Sequence, residues 1–217
     1  MTGAAEGHVT GARRVRTYVA LGANVGDARG TLEAAVRALQ ALPDCRLRGV
    51  SRLYATAPVG VTDQPDFLNA VVALDVPAGP DPESGALALL LALKTLEAAF
   101  GRKRRGRWGP RELDLDLIVF GRHRLHVERP AVARSADPTR AGAQWLDVPH
   151  ASAADRLFVL APLADLAPGL VPPGWSETVE SRRRARLRVE GERAVRVVAR
   201  WQPGVGWRED GVAQAPR

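Results

Sequence analysis

The run Leu113-Asp114-Leu115-Asp116-Leu117-Ile118-Val119-Phe120 constrains the fold more than any other stretch of the chain. Read as a strand, it alternates faces, so Leu113, Leu115 and Leu117 enter a core while Asp114 and Asp116 stand together on the opposite face. Its sheet must then bury one face and present two carboxylates on the other. Their Cα atoms would lie roughly 6.6 Å apart, close enough to share one or two hard cations. Paired carboxylates repel unless a metal or fixed cations neutralise them. Arg107 and Arg111 lie just upstream in Arg107-Trp108-Gly109-Pro110-Arg111, which points to phosphate as part of the neutralised assembly.

The elements before this strand complete the sheet. Val15 to Leu21 alternates as a strand and ends in Gly22-Ala23-Asn24-Val25-Gly26-Asp27. Asp27 can cap a helix through Ala41, with Leu32, Ala35, Val36, Leu39 and Leu42 at helical spacing and Pro43 as the stop. Arg46 to Tyr54 reads as a second strand, residues 55–66 as a Pro/Gly-containing loop, and Phe67 to Val76 as a third strand. Asp81 or Ser84 opens an apolar helix from about Gly85 to Phe100, ended by Gly101. The order βαββαβ predicts an α+β fold with a ferredoxin-like core sheet, its helices packed on one face and the other face free for a site, plus additional C-terminal elements.

Beyond the aspartate strand, Gly121 to Val148 is expected to be an irregular, mobile insertion (about 122–147) carrying scattered arginines. Arg156 to Leu166 reads as a short apolar helix. The core domain then spans 15–175, preceded by a flexible segment 1–14. Residues 176–217 form a basic C-terminal extension, in which Arg186–Val189 and Ala194–Trp201 alternate as the arms of a hairpin.

A length of 217 residues with 46% hydrophobic composition is enough for one well-buried domain. No apolar run approaches twenty residues and no secretory pattern opens the chain, so no membrane association is expected. Cys45 is the only cysteine, which excludes an internal disulfide and fits a cytoplasmic location. The net charge of +7 invites a nucleic-acid reading. Yet only Lys94 and Lys103 are lysines, and an arginine excess in an Ala-, Gly-, Val- and Pro-rich chain also follows from GC-rich coding. Where the arginines cluster is more informative than their number.

An isolated Asp-x-Asp fits a solvated strand face as readily as a metal site. Here Gly109-Pro110 fixes the strand entry, Arg111 lies three residues before Asp114, and oxygen-only ligation suits Mg²⁺. Neither a Cys/His zinc spacing nor a P-loop motif is present. The basic loop Arg102-Lys103-Arg104-Arg105-Gly106-Arg107 is either a solvated surface or a phosphate clamp whose guanidinium forks stay charged at any working pH. Phosphoryl transfer asks mainly for such positioning and charge neutralisation. Thr56-Ala57-Pro58-Val59-Gly60 and Asp66-Phe67-Leu68-Asn69 offer backbone groups and an amide for the edge of a planar heterocycle, with a ring to stack on its face. Taken singly, each of these reads first as a turn or core residue. His150 alone reads as a surface histidine, but Arg156 and Phe158 could add a second phosphate contact and a second stack.

Together, Leu21 to Asp27, Asp63-Gln64-Pro65-Asp66-Phe67-Leu68-Asn69, Arg107 to Asp116, and His150 with Arg156-Leu157-Phe158-Val159-Leu160-Ala161-Pro162-Leu163 resemble the 6-hydroxymethyl-7,8-dihydropterin pyrophosphokinase family, over about residues 15–172. The resemblance implies transfer of the β,γ-pyrophosphoryl unit from ATP to the pterin hydroxymethyl group, with release of AMP, in folate biosynthesis. It implies two Mg²⁺ on Asp114 and Asp116, and a catalytic set of these aspartates with Arg102, Arg104 and Arg111. Arg102, Arg104, Arg111, Arg156 and His150 would contact ATP phosphates, and Glu97 and Leu117 would lie near the adenosine. Thr56, Ala57, Val59 and Asn69 would recognise a pterin held between Phe67 and Phe158, with Trp108 closing the site against both substrates. The implied partners are ATP and the pterin, with no nucleic acid for the core, and the chain is expected to act as a monomer. The basic loop is expected to order when nucleotide binds.

Four departures from the family pattern stand out. The stretch between Arg105 and Trp108 is shorter than a common family form, Ala57 stands where a proline is frequent, Ala151 follows the histidine where an aromatic can, and the stretch from Gly121 to His150 is longer than usual. Two rival readings remain weaker. A nucleic-acid-binding protein leaves the stacking loop and Trp108 without a role. An inactive homologue has no physical reason to keep two repelling aspartates.

Overall fold

The computed structural model describes residues 13–58, 63–101, 109–134 and 142–209. It has a mixed α/β architecture with an antiparallel sheet and, among the described residues, four α-helices. The first elements are β1 (Arg14–Ala23), α1 (Ala28–Gln40), β2 (Arg46–Val50), β3 (Leu53–Thr56), β4 (Phe67–Pro77), α2 (Pro82–Ala99) and β5 (Asp114–Phe120). Asp27 caps α1 by accepting from Gly30 N, and Asp81 caps α2 by accepting from Ser84 N, with Pro82 in the first turn. α2 therefore starts three residues earlier than its apolar stripe, because Pro82 and Glu83 suit a first turn without contributing to the core.

β4 organises the sheet. One edge takes β1 along its whole length, and the other takes β2 and then β3. β5 lies on the far side of β1, and all these pairings are antiparallel. The strand expected over 46–54 is thus two strands. The register shifts between Leu47 and Gly49, and Ser51 then joins β4 through both its N–H, bonded to Val71 O, and its Oγ, which accepts from Val71 N. That side-chain bond replaces a ladder bond and ends the first strand.

The two sheet faces are covered differently. Val19, Leu21, Val72, Leu74, Leu115 and Leu117 turn to α1 and α2, meeting Leu32, Val36, Leu39, Leu89 and Leu93 in the larger core. This matches the expected helical face. The opposite face is not left free: α3 (Leu157–Leu166) packs Val159, Leu160 and Leu163 on Tyr18, Val71, Ala73 and Ile118, and α4 (Val179–Glu190) adds Val179. The cause is visible in β4 and β5, whose buried runs are apolar on both faces, as strands covered on both sides must be.

The segment after β5 also departs from expectation. In place of an irregular excursion, β6 (Leu125–Glu128) and β7 (Trp145–Val148) pair into a two-stranded sheet, and residues 131–133 make a short 3-10 turn. Arg186–Val189 is helical, not one arm of a hairpin. Four residues of alternation do not distinguish a period of 2 from 3.6. Here the helix is favoured by a Thr178 cap, by Glu180 with Arg183 and Arg184, and by Arg186 with Glu190. Gly191, at φ +85°, ends it. β8 (Arg196–Gln202) instead pairs with β3 on one edge and with β9 (Gly206–Arg208) on the other, so the C-terminal segment extends the main sheet. Trp207 is fully buried there, its Nε1 donating to Ser51 O and its backbone N to Glu33 Oε1.

Candidate active site

The strand register draws the site. Gly22 pairs with Asp114 on one side and with Asn69 on the other, and Asn69 pairs in turn with Tyr54. One row across four strands therefore holds a carboxylate, a glycine, an amide and a phenol. At about 4.8 Å per strand, the Cα atoms of Asp114 and Asn69 lie roughly 10 Å apart across the glycine. A Cβ on Gly22 would come within 3.3 Å of Asn69 Oδ1, so glycine keeps the floor between carboxylate and amide open. Asp116 pairs with Ala20 in the next row, on the same face as Asp114. This is the face that α3 covers further down the sheet. The site occupies what α3 leaves open.

On the acidic side, Arg111 Nη1 donates to Asp114 Oδ2 at 2.6 Å. Burial raises the Asp116 carboxyl, but His150, Lys94, Arg156 and Arg111 together outweigh it and hold the group below its ordinary value. His150 moves down because burial disfavours its charged form, against the pull of Asp116. Its Nδ1 accepts from Ser152 N at 3.3 Å, which assigns the ring proton to Nε2, and its own N–H bonds Ile118 O at 2.9 Å. Arg156 heads α3, with its guanidinium 5.7 Å from the Phe158 ring centroid. Asp116, Arg111, His150 and Arg156 thus lie near one another.

On the other side, Asn69 Nδ2 donates to Thr56 Oγ1 at 2.8 Å, and both residues are buried. They form one hydrogen-bonded unit in which Thr56 fixes the amide's orientation. Phe67 pairs with Thr56 and shares the face of Asn69, while Phe158 reaches that face from α3. Ala57 is exposed at the strand end. Leu117 is placed differently from the aspartates: its side chain lies in the core beneath α2, so any ligand contact falls to its backbone. Glu97 is buried and accepts from Leu115 N at 2.7 Å and from Lys94 Nζ at 2.7 Å, which fastens β5 to α2. Val59, Arg102, Arg104 and Trp108 lie outside the described residues, as does the expected ordering of the basic loop.

Two residues that carry no role in the sequence reading belong here. Asn24 is buried at the end of β1; its Oδ1 accepts from Arg111 N at 2.8 Å, and its Nδ2 donates to Gln64 Oε1 at 3.0 Å and Pro65 O at 3.1 Å. It ties the segment before β5 to the loop before β4. Lys94 donates to Leu115 O at 3.3 Å and adds to the charge felt by Asp116. A polar residue in an otherwise apolar stripe was the signal for Lys94. Nothing local marks Asn24.

Among the described residues no cluster of three or more His, Cys, Asp and Glu could hold a metal by protein ligands alone. Two aspartates with phosphate and water oxygens suit Mg²⁺, which keeps several non-protein ligands. A pair of carboxylates on one face, with cations around them and set beside a hydrogen-bonding edge and two phenyl rings, defines a phosphoryl-transfer protein with a flat acceptor.

Comparison with known proteins narrows this class. Residues 18–168 match the family described as 7,8-dihydro-6-hydroxymethylpterin-pyrophosphokinase (HPPK), and the chain belongs to that family. It is 44% identical over 158 residues to the 2-amino-4-hydroxy-6-hydroxymethyldihydropteridine pyrophosphokinase of Pseudomonas aeruginosa, covering 73% of this chain and 84% of that one. It is 40% identical over 164 residues to the protein of the same name from Methylorubrum extorquens, covering 76% and 89%. Among solved structures, wild-type HPPK-DHPS of Plasmodium falciparum with pteroate superposes at a TM-score of 0.64 and 13% identity, covering 90% of this chain. The chain spans 48% of that longer polypeptide, and the likeness speaks for the fold alone.

Proposed function

We propose that this chain transfers the terminal pyrophosphoryl unit of ATP to the hydroxymethyl group of 6-hydroxymethyl-7,8-dihydropterin, a step of folate biosynthesis, in a ferredoxin-like fold. The observation that carries the reading is the row Asp114–Gly22–Asn69, which sets a phosphate-side carboxylate and a heterocycle-side amide about two strand spacings apart on one open floor.

In this reading the Asn69–Thr56 pair holds the pterin edge, Phe67 and Phe158 stack on its faces, and the hydroxymethyl group points across Gly22. The hydroxyl oxygen attacks the β-phosphorus, the bond from that phosphorus to the α,β-bridging oxygen breaks, and AMP leaves with that oxygen while the hydroxyl proton is released. Arg111 and Arg156 hold phosphoryl oxygens as fixed cations. His150 donates Nε2–H to a phosphoryl oxygen. Mg²⁺ on Asp114 and Asp116, when bound, would neutralise the polyphosphate and orient its oxygens for in-line displacement. Arg102, Arg104, Val59 and Trp108 complete the site in this proposal, as does a monomeric state in the cytoplasm. Among the described residues no helix is long and apolar enough to cross a membrane.

The direct test is incubation with ATP, Mg²⁺ and the hydroxymethyldihydropterin, with nucleotide products separated. AMP formation that requires the pterin is expected. Formation of ADP, or of AMP at the same rate without the pterin, would overturn the reading.

A further inference from the structure

We infer that Arg182, on α4 and beyond the segment that matches the family, is a positioning residue for the triphosphate side of the site. The inference rests on the function proposed above. The turn between β7 and α3 carries His150 and Arg156, and Phe158 follows in the first turn of α3. Ala153 N bonds His150 O at 2.9 Å, residues 153–155 make a 3-10 turn, and Arg156 N closes on Ala153 O at 3.5 Å. Arg156 O then accepts from Val159 N and Leu160 N at 3.0 Å, so Arg156 is the hinge between turn and helix. A displacement of residues 154–155 moves the start of its side chain directly.

Arg182 holds those two residues. Its Nε donates to Ala154 O at 2.9 Å, and its Nη2 to Asp155 Oδ1 at 3.1 Å. The remaining Nη1 donates to Glu177 Oε1 at 3.1 Å, which orients the guanidinium from its own helix start. The base is firm as well. Val179 is fully buried, Val179 N bonds Leu170 O at 2.8 Å, and Glu180 N bonds Pro168 O at 3.0 Å. A planar fork anchored at one end and engaging a carbonyl and a carboxylate at the other restrains translation and rotation together, which a single-point lysine does not. The Arg182–Asp155 pair is largely solvent-exposed, so its effect on global stability is small. Its consequence lies in where the turn sits, and therefore where Arg156 points.

The test compares wild type, Arg182→Ala, Arg182→Lys, Arg156→Ala and the Arg182→Ala/Arg156→Ala double variant, all as full chains. The readouts are the Kd of a non-hydrolysable ATP analogue with Mg²⁺, the KM for the pterin, and the thermal midpoint. Arg182→Ala is expected to weaken the analogue by about three- to tenfold, the loss equivalent to one or two ordinary hydrogen bonds, with a smaller change in pterin KM. Arg182→Lys should fall between. The double variant should bind no more weakly than Arg156→Ala alone, because the clamp acts through Arg156. An Arg182→Ala variant with wild-type analogue affinity, or additive losses in the double variant, would overturn the inference. If Arg182→Ala folds poorly, the same cycle with Arg182→Lys decides it. A wild-type chain that makes no AMP would instead sink the proposed activity, so the two failures are distinguishable.

Discussion

Asn24 offers the sharpest test of how the site is assembled, because one buried side chain joins three segments. Asn24→Ala removes its bonds to Arg111 N, Gln64 Oε1 and Pro65 O, and leaves only the backbone bond from Asn24 N to Arg111 O at 3.0 Å. Each partner deprived of its bond in a poorly solvated position costs about 1–3 kcal/mol, and water entering the vacated volume reduces that. Taking Arg111 N–H and Pro65 C=O as the two most affected groups gives a loss of about 2–4 kcal/mol. For a chain of this size that is roughly 5–15 °C in thermal midpoint. Turnover should fall further than stability suggests, since Arg111 sits on the loosened segment and a displacement of about 1 Å can cost on the order of a hundredfold. Asn24→Asp separates the two bonding roles: it keeps an acceptor for Arg111 N, loses the donors, and sets a carboxylate against Pro65 O. It should therefore be no better than alanine at holding the Gln64 loop. Thermal unfolding of the ligand-free chain, paired with AMP formation at saturating substrates, measures both effects. If Asn24→Ala melts and turns over like wild type, the claim that this residue couples the two sides of the site is wrong.

Three further outcomes are expected. Asp116→Asn should lower AMP formation by about a hundred- to a thousandfold while circular dichroism stays unchanged, since the group serves charge stabilisation and not packing; turnover within twofold of wild type would remove it from the site. Trp207→Ala should cost about 3–5 kcal/mol in urea unfolding, because its ring is fully buried and its Nε1 bonds Ser51 O; a loss below about 1 kcal/mol would mean that the C-terminal strands are peripheral. Glu180 is held at about 2, below its ordinary 4.5, chiefly by the hydrogen bond from Arg183 and then by Arg184. A depressed carboxylate adds stability above its unfolded pKa and loses it as pH falls through the folded one, so its share should disappear between pH 4.5 and 2. Urea midpoints for wild type should therefore drop more over that window than those for Glu180→Gln, and parallel curves would contradict the assignment.

What could be read in the sequence was local. The alternation of Asp114 and Asp116 against Leu113, Leu115 and Leu117 needs only the pleat of a strand, and the Asp27 and Asp81 caps need only the first turn of a helix. What escaped was set by partners outside the segment being read, some a turn or two away and some far along the chain. Whether Arg186–Val189 is strand or helix depends on Glu180, Glu190 and the cap at Thr178, and not on its own four residues. β8 finds its edge on β3, across more than a hundred residues of chain, and no pattern within β8 names that partner. Asn24 meets Arg111 at a sequence separation of 87, and its identity as an anchor lies wholly in that encounter. Leu117 was legible in another way: the strand period already turned its side chain away from the aspartates, so only its backbone could serve the place near adenosine that the resemblance implied.

The division of one sheet face into core and site explains why these elements lie where they do. Tyr18, Val71, Ala73 and Ile118 need an apolar cover, and α3 provides it with Val159, Leu160 and Leu163. The same strands, two to four residues further along, carry Gly22, Asn69, Asp116 and Asp114, which a covering helix would desolvate. α3 therefore has to end between the two zones, and it does so at its N-terminus, where Arg156 precedes the first turn without a side-chain cap. A helix directed this way brings the partial positive charge of its first N–H groups towards the carboxylates. Reversed, it would bring the negative end towards Asp116, adding repulsion to a group that burial already pushes up. In the proposed function, the cover for the core thus also supplies field, cation and stacking ring to the site. Arg182, fixed behind the turn that starts α3, sets how accurately those three arrive.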